Sequence, residues 1–355
     1  MNPVELYTKE ERKTNGVVYT PDFLAEYLAK KVLHYWGINK KLLSVFDPAC
    51  GDSRLLRFFA EEILSKMQTK TLPKIVGIDK DKNAVECSMS KFSETHLKQF
   101  VTSFINTDAL FPIDGQTSIT AWEMLRQAIK CEKGFDIALS NPPWGADLSE
   151  YTQRILNYNF TLTKGQFDIY DLFVEVILNN LHENGVYGLI LPDSVFSQDQ
   201  ANLRCLLAKN TTIYLIARLG EKIFSEINRA CVVIIGSKSK THSNHHVDCF
   251  RLTVNYKNKV LLNELALEEA EKELAHKVPQ DRFLKNGNCV FDIDLKIDEQ
   301  KTFNKVQNTS ILLKNIVTNT RGAEISKKGI VCRCPKCKKW MPYPKAKQPT
   351  CSHCN

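Results

Sequence analysis

Residues 135–145 read FDIALSNPPWG, an apolar run that leads directly into a polar turn with two consecutive prolines. The run Phe135–Leu139 has the length and composition of a buried strand. Two prolines fix two φ angles and remove two N–H donors, so the turn is stiff and its carbonyls can only accept hydrogen bonds. Ligands of a parallel sheet bind beyond the carboxyl ends of its strands. Residues 140–145 are therefore expected at a reaction centre.

Short apolar runs alternate with helical patterns around this strand, from about residue 42 to residue 236. The other strand-like runs are Leu42–Phe46, Ile75–Ile78, Phe104–Ile105, Val186–Leu191, Tyr214–Leu219 and Val232–Ile235. Helices are predicted from about Arg54, from about Lys82 and around Tyr170–Leu181. This alternation predicts an α/β fold with a doubly wound, mostly parallel sheet that is covered on both faces.

The chain has 355 residues, of which 43% are apolar and 25% charged, which suits a globular protein with two domains. A helix is predicted over Phe23–Tyr35, starting at Thr20-Pro21-Asp22, and a charged helix over 261–276. We predict a large domain over residues 1–250, a helical connector over 251–295 and a small region over 296–355. No apolar leader and no long apolar run is visible, so we expect a cytoplasmic protein that does not span a membrane.

The turn at 140–145 has a donor and acceptor pattern that suits an amino-group substrate. The side-chain oxygen of Asn141 and the carbonyl of Pro142 can both accept hydrogen bonds from one exocyclic NH₂ group. Trp144 offers a flat apolar face for an aromatic ring. Two bonds to the NH₂ group would expose the nitrogen lone pair as a nucleophile. The alternative is a rigid structural turn in which Trp144 only packs.

A second polar turn follows the strand near residue 46 and reads DPACGDS over residues 47–53. Only Gly51 is a glycine, whereas a dinucleotide site needs three glycines to bring the backbone against a pyrophosphate. The turn therefore suits a nucleoside without phosphates, with S-adenosylmethionine as the candidate. Asp79 and Asp108 follow the next two strands, where carboxylates can accept from ribose hydroxyls and from an adenine amino group. Each aspartate alone could equally be a helix cap.

The order of these motifs resembles the gamma class of N6-adenine DNA methyltransferases, with their Rossmann-like class I fold. The matching stretches are Tyr19-Thr20-Pro21, Asp47–Gly51, Gly77-Ile78-Asp79, Asp108 and Asn141–Trp144. The resemblance implies cofactor residues Thr20, Pro21, Asp47, Gly51, Asp79 and Asp108. It implies the catalytic residues Asn141, Pro142, Pro143 and Trp144, with Phe224 as a second aromatic against the target base. Ser53 departs from the family, which usually has glycine there, and we expect its side chain to narrow the approach to the methionine end.

The reaction implied by the resemblance is direct methyl transfer to N6 of an adenine that rotates out of the DNA duplex. A cytosine C5 reaction would need a cysteine nucleophile, commonly as Pro-Cys, and this chain has Pro48-Ala49-Cys50 in the cofactor loop instead. An RNA adenine or a protein glutamine amide is an alternative substrate, since the motif suits any planar nitrogen. A non-catalytic DNA-binding subunit is a further alternative.

The C-terminal end of the chain predicts a zinc site and a polyanion partner. Cys334, Cys337, Cys351 and Cys354 form two CxxC pairs with 13 residues between them, which is close to the spacing of a four-thiolate zinc site. Residues 321–355 hold nine Lys and Arg against one acid, so they carry the net charge of +8. Four thiolates with Zn²⁺ would lower this to about +6. Lys and Arg at 321–329 are expected to contact DNA phosphates.

Two further expectations concern the remaining cysteines and the end of the chain. Seven cysteines occur singly and are expected to be reduced thiols: Cys50, Cys87, Cys131, Cys205, Cys231, Cys249 and Cys289. Residues 296–355 resemble only the start of a target-recognition region. We therefore expect either a truncated reading frame or a separate specificity subunit, within a restriction-modification or related defence system, and a separate nuclease subunit is a further candidate partner.

Overall fold

A nine-stranded sheet is the centre of residues 19–297 in this computed structural model. The structure describes residues 19–67, 71–224, 228–311, 315–317, 331–342, 351 and 353–354. The strands are β1 Ser44–Asp47, β2 Lys74–Asp79, β3 Thr102–Asn106, β4 Phe135–Ser140, β5 Leu181–Pro192, β6 Thr212–Gly220, β7 Cys231–Ser237, β8 His246–Arg251 and β9 His276–Pro279. The sequence predicted β1 to β7, with bounds that differ by a few residues.

The strand order is β3-β2-β1-β4-β5-β7-β6-β8-β9. Strands β1 to β5 are all parallel, and β7 runs antiparallel between β5 and β6. The predicted α/β fold with a mostly parallel sheet is confirmed. Chain order reverses between the neighbours β1 and β4, and a cleft opens at the carboxyl ends of strands where such a reversal occurs. Both polar turns predicted as functional begin at this reversal, after Asp47 and after Ser140.

The helices of this unit are α1 Asp22–Trp36, α2 Arg54–Lys66, α3 Lys82–Ser93, α4 Ser118–Ala128, α5 Gln153–Asn159, α6 Ile169–Asn180, α7 Ala201–Asn210, α8 Val254–Leu261, α9 Leu267–Leu274 and α10 Gln280–Lys285. Helix α1 packs directly on β5 through Gly188. A Cβ atom at Gly188 would lie 2.5 Å from Val32 Cγ2 and 2.9 Å from Leu28 Cδ1, so a larger residue would push the helix away. This close approach holds the residues before α1 near the cleft.

The first compact unit ends at Ile297, and the second begins at Asp298. Residues 251–295, predicted as a helical connector, contain α8, α9 and α10 together with β9, which pairs antiparallel with β8 at the edge of the main sheet. The three-part division of the chain stays a prediction. Among the described residues, no helix is long and apolar enough to cross a membrane.

Cys205 and Cys289 form a disulfide bond, so the expectation of a reduced thiol is wrong for these two residues. Their Cα atoms are 5.2 Å apart although 84 residues separate them in sequence. The neighbouring Arg204 is buried and donates to the carbonyls of Cys289 and Asn288, both at 3.2 Å. These bonds tie residues 287–289 to α7, which brings the two sulfurs together. The other five single cysteines are free thiols.

The second unit contains helix α11 Ile297–Thr309 and a small hairpin of β10 Val331–Arg333 and β11 Trp340–Pro342. Cys334 and Cys337 lie on the turn of this hairpin. The N–H of Cys334 donates to the carbonyl of Lys339 at 2.9 Å, and the N–H of Lys338 donates back to the carbonyl of Cys334 at 2.9 Å. The basic stretch 321–329 lies outside the described residues.

Candidate active site

A cavity opens at the carboxyl ends of β1, β2 and β3, next to the turn after β4. Its lining includes seven of the residues that the sequence singled out: Thr20, Asp47, Gly51, Asp79, Asp108, Asn141 and Pro143. Three of them are carboxylates that follow three adjacent parallel strands. The cavity is therefore rich in hydrogen-bond acceptors, and it reaches from the third strand to the stiff turn.

Asp47 is buried at the end of β1. Its Oδ1 atom accepts from the N–H of Ala49 at 2.9 Å and from the hydroxyl of Ser140 at 2.8 Å. Burial raises the pKa of this carboxyl to about 7, against the lowering effect of these two bonds. The bond to Ser140 also joins the ends of β1 and β4, so the two polar turns start from a common point.

Asp79 holds the glycine of the first polar turn in place. Its Oδ2 atom accepts from the N–H of Gly51 at 2.8 Å, and its Oδ1 atom accepts from the N–H of Asp81 at 2.9 Å. Burial raises the pKa of the Asp79 carboxyl, while these backbone bonds oppose the rise. Each oxygen keeps a lone pair after these bonds. The carboxylate can therefore accept two further hydrogen bonds, as a ribose with two hydroxyls requires.

Asp108 follows β3, which is the strand of this cavity farthest from β4 in the sheet order. Its Oδ1 atom accepts from the N–H of Leu110 at 2.9 Å, and its Oδ2 atom accepts from the hydroxyl of Tyr151. Tyr151 also lines the cavity, and nothing in the sequence pattern had marked it. Burial, followed by the charge of Asp108, raises the pKa of the Tyr151 hydroxyl, so the hydroxyl stays protonated.

The segment before α1 contacts both polar turns. The amide Nδ2 of Asn141 donates to the hydroxyl of Thr20 at 3.1 Å. Arg54, the first residue of α2, donates to the carbonyl of Thr20 at 3.0 Å and forms an ion pair with Asp22 at 3.2 Å. Pro21 precedes α1 with a φ of −60°, and its carbonyl accepts from the first turn of that helix. Thr20 thus faces the cavity, whereas Pro21 sets the start of the helix.

Pro142, Trp144 and Phe224 are not among the residues that line this cavity. Trp144 and Phe224 contact each other instead, with ring centroids 5.2 Å apart and an interplanar angle of 89°. Both side chains are buried, with 2% and 3% exposed. The structure brings the two predicted aromatics into contact, but their faces are perpendicular and leave no slot between them. Their roles on the two faces of a target base stay a prediction.

Two contacts pin the turn after Trp144. The N–H of Gly145 donates to Asp168 Oδ1 at 2.9 Å, and Asp168 also caps helix α6 in a capping box with Asp171. Gly145 has a φ of +62°, and a Cβ atom there would lie 3.0 Å from the guanidinium of Arg229. Arg229 donates to the carbonyl of Trp144 at 3.3 Å. The stiff turn is therefore held from both sides.

Ser53 has a left-handed φ of 61°, which explains why glycine suits this position. Its buried hydroxyl donates to the carbonyl of Asp52 at 2.7 Å, and the residue does not line the cavity. The expectation that its side chain narrows the cavity is therefore wrong. The cost of serine here is backbone strain, since left-handed residues other than glycine are disfavoured by about 1 kcal/mol.

Sequence reasoning missed four residues that contact the cavity or the turn beside it: Arg54, Tyr151, Asp168 and Arg229. Asp168 had a readable signal, because Asp168-Ile-Tyr-Asp171 before an apolar run has the form of a capping box. Arg54, Tyr151 and Arg229 had none, since their partners are 34, 43 and 85 residues away in sequence. Contacts of this kind depend on how loops fold over the sheet.

In the second unit, the Sγ atoms of Cys334, Cys337, Cys351 and Cys354 all lie within 4.8 Å of one another. The Cys334 and Cys354 sulfurs are 3.7 Å apart, and the Cys337 and Cys351 sulfurs are 3.6 Å apart. Four sulfurs placed tetrahedrally about 2.3 Å from a zinc ion would be about 3.8 Å apart. Backbone N–H groups of Cys337 and His353 also point at the sulfurs of Cys334 and Cys351. The donor set therefore fits Zn²⁺.

Comparison with known proteins identifies the family. The family model described as N-6 DNA Methylase matches residues 4–310. The chain belongs to the N-6 DNA methylase family. A curated relative, the Type II methyltransferase M.TthHB8I of Thermus thermophilus, is 25% identical over an alignment of 199 residues that covers 52% of this chain and 39% of the relative.

Solved structures share the fold. A Listeria monocytogenes protein provisionally assigned to the class I S-adenosylmethionine-dependent methyltransferases matches 71% of this chain and 70% of its own, with a TM-score of 0.51 and 20% identity. The methyltransferase subunit of a type I restriction-modification system from Streptococcus thermophilus matches 78% of this chain and 58% of its own, with a TM-score of 0.54 and 17% identity. The predicted class I fold is confirmed. The chain spans about two fifths of the length of the curated relatives that it matches.

Proposed function

We propose that this chain transfers a methyl group from S-adenosylmethionine to N6 of an adenine rotated out of double-stranded DNA. The observation that carries the proposal is one cavity that joins three strand-end carboxylates, Asp47, Asp79 and Asp108, to the acceptor turn at Asn141 and Pro143. Membership of the N-6 DNA methylase family supports the same reaction.

The residues of the cavity suit the parts of the cofactor. The Asp79 carboxylate, held by two backbone N–H groups, would accept from the ribose hydroxyls, and Asp108 from the adenine amino group. Asp47 and Thr20 lie towards the turn at Asn141, where the methionine end would be. A positive charge there would favour the ionised form of Asp47, whose pKa burial raises to about 7. When bound, the cofactor supplies an electrophilic methyl group.

The acceptor turn would position the target nitrogen. Asn141 Oδ1 and the Pro142 carbonyl would each accept one N–H bond of adenine N6, which leaves the nitrogen lone pair directed at the methyl group. Trp144 would stack on the base, with Phe224 on its other face. The turn is held by Asp168 and Arg229, so it would keep its shape when the base enters.

We further propose a structural Zn²⁺ on Cys334, Cys337, Cys351 and Cys354, and DNA contacts by the basic end of the chain. A measurement of bound metal tests the first point. One zinc per chain is expected in the wild-type protein, and the Cys351→Ser variant should lose it. Equal metal content in both proteins would contradict the site.

The names of several similar proteins refer to restriction enzymes or restriction-modification systems. They support our proposal of a cytoplasmic defence role for this chain, with a separate specificity or nuclease subunit as a partner. The tagged chain can be purified from its native cell and its protein partners identified, which tests this point. Added double-stranded DNA removes proteins that are held only through bound DNA. A stoichiometric protein partner is expected, and a chain that methylates one sequence alone and recovers no partner would contradict it.

DNA from cells that express the chain tests the proposed reaction. We expect N6-methyladenine in the wild-type sample and none in a matched Asn141→Ala sample, because the variant lacks one of the two acceptors. The Asn141→Ala protein should still bind DNA. Equal N6-methyladenine in both samples would contradict the proposed role of Asn141. If neither sample contains N6-methyladenine, and the Asn141→Ala variant has the same effect on the cell as the wild-type protein, a non-catalytic DNA-binding subunit is favoured instead.

A further inference from the structure

Trp340 lies on the hairpin of the second unit, and its exposure follows from the strand pattern. Neighbouring side chains of β11 point to opposite faces of the hairpin. Met341 is buried and packs in a small core with Cys334 and Cys351. Trp340 therefore points away from the sulfur cluster, and 56% of it is exposed. Since Trp is mostly buried in proteins, an indole on the open face of a small hairpin is unusual.

Arg333 lies directly across the hairpin from Trp340. The two residues are register partners in the antiparallel pair of β10 and β11, so both side chains leave the same face. The Nε of Arg333 donates to the carbonyl of Lys338 at 2.9 Å, which holds the guanidinium at this end of the hairpin. The N–H donors on its two Nη atoms have no hydrogen-bond partner among the described residues. These donors match the oxygens of a phosphate.

The charged residues of the hairpin are all cations. Residues 331–342 include Arg333, Lys336, Lys338 and Lys339, and they include no Asp or Glu. All four cationic residues are exposed. A flat apolar ring among exposed cations is the combination that binds polynucleotides, because the cations neutralise phosphates while the ring stacks on a base. The charges therefore favour a polyanion over an apolar protein surface as the partner of this face.

The form of the DNA decides whether this ring can be used. Inside a duplex, the faces of each base are covered by its neighbours, and proteins reach only base edges, sugars and phosphates. An indole can stack only on a base that has left the duplex stack or that belongs to a single strand. Such a contact differs from phosphate contacts with a duplex, which need no aromatic ring.

We propose that Trp340 and Arg333 form a binding site for single-stranded DNA, in which the indole stacks on an unpaired base and the guanidinium contacts a flanking phosphate. The proposal deepens the DNA contacts that we propose for the basic end of the chain, and it rests on them. It gives the hairpin a role that does not depend on methyl transfer.

Fluorescence anisotropy with the full chain and two labelled oligonucleotides tests the proposal. One is a single-stranded oligothymidylate, and the other is a duplex of the same length. We expect Trp340→Ala to weaken binding of the single strand about tenfold, as the loss of one base–aromatic stack predicts. Binding of the duplex should change less than about twofold, because its bases offer no free face. Trp340→Phe keeps a ring and should lose at most about threefold on the single strand.

The salt dependence of single-strand binding separates stacking from charge. Arg333→Gln should reduce the slope of log K against log salt by about 0.7, because one phosphate contact is lost. Trp340→Ala should leave the slope unchanged, since a stack releases no counterion. A variant with an unfolded hairpin would lose several cation contacts and change the slope, so the slope also controls for folding. An unchanged slope in Arg333→Gln would overturn the phosphate contact.

The matched control is Tyr158→Ala, since Tyr158 is an aromatic residue that is 81% exposed on α5 of the first unit. This variant should bind the single strand as the wild-type protein does. If Trp340→Ala weakens both oligonucleotides equally or neither, Trp340 supports the hairpin or serves a protein partner, and the inference is overturned. A wild-type chain that binds neither oligonucleotide would overturn the proposed DNA contacts as well, which distinguishes the two failures.

Discussion

The proposed site has a cofactor half, formed by Asp47, Asp79 and Asp108, and a target half, formed by Asn141–Trp144 and Phe224. The two halves differ in whether their side chains already have the arrangement that a ligand would need. Around the cofactor cavity, Asp79 and Asp108 are already oriented by backbone N–H groups. On the target side, Trp144 and Phe224 are packed edge to face at 5.2 Å, where a base would need a slot between parallel rings. The difference predicts that S-adenosylmethionine would bind a preformed cavity, whereas a target base would have to separate two buried aromatics.

The largest expected effect is on folding stability and comes from Asp47 in the cofactor half. This carboxyl is buried, so it destabilises the folded protein when it ionises. Its pKa is about 7 in the folded protein against 3.8 unfolded. The unfolded chain therefore loses this proton first as pH rises from 4 to 7, and folding stability falls over that window by about 4 kcal/mol from this group alone.

Unfolding by denaturant at pH 4, 5.5, 7 and 8 measures this effect by comparison with Asp47→Asn. The asparagine keeps an acceptor for Ser140 and does not ionise. The stability of the variant relative to wild type should rise across the window and level off above pH 7. A difference that does not depend on pH would mean that Asp47 ionises normally in the folded protein.

Asp79→Ala should have the next largest effect, confined to the cofactor half. The substitution removes the acceptor of two backbone N–H groups and both proposed ribose contacts. We expect S-adenosylhomocysteine to bind about a hundredfold more weakly by calorimetry, since two bonds at the lower end of about 1.5–3 kcal/mol each contribute about 3 kcal/mol. Unchanged affinity in a folded variant would place the cofactor elsewhere.

Phe224→Leu should affect only the target half. Loss of one stacking face should lower the rate of methyl transfer to DNA about tenfold, because base–aromatic stacking contributes about 1–3 kcal/mol. The affinity for S-adenosylhomocysteine should stay the same, since Phe224 does not line the cavity. Phe224→Tyr keeps a ring and should retain most of the activity. If Phe224→Leu lowers the affinity for S-adenosylhomocysteine by the same factor as the rate of methyl transfer, the cofactor half and the target half do not act independently.

Ser53→Gly should have the smallest effect and should stabilise the protein. Glycine relieves the left-handed φ of 61°, while it loses the bond to Asp52 and more entropy on folding. The net gain is expected to be about 0.5 kcal/mol by thermal unfolding, with cofactor affinity unchanged. Ser53→Ala keeps the strained backbone and should give no gain, so a stabilised alanine variant would argue against strain as the cause.

The sequence was sufficient for the cofactor half because parallel strands bring their carboxyl ends to one edge. Asp47, Asp79 and Asp108 each follow an apolar run, so their convergence follows from the sheet alone. The cluster of Cys334, Cys337, Cys351 and Cys354 was also readable, since two CxxC pairs at this spacing are typical of a four-thiolate site.

The rest of the molecule depends on contacts that no local pattern encodes. The Trp144–Phe224 contact joins residues 80 apart, and their ring angle depends on how two loops pack. The Cys205–Cys289 bond joins segments that meet only after α7 packs on residues 287–289. Strand β9 is short, and it is strand-like only as a partner of β8 at the sheet edge.

Calorimetric titration of S-adenosylmethionine into the wild-type chain without DNA asks whether the strand-end cavity is a preformed cofactor site. Saturable binding with one site per chain is expected, because the acceptors are in place before any base enters. A correctly folded protein that produces no binding heat until DNA is added would show that the cavity is not a preformed cofactor site. That result would contradict the difference between the two halves.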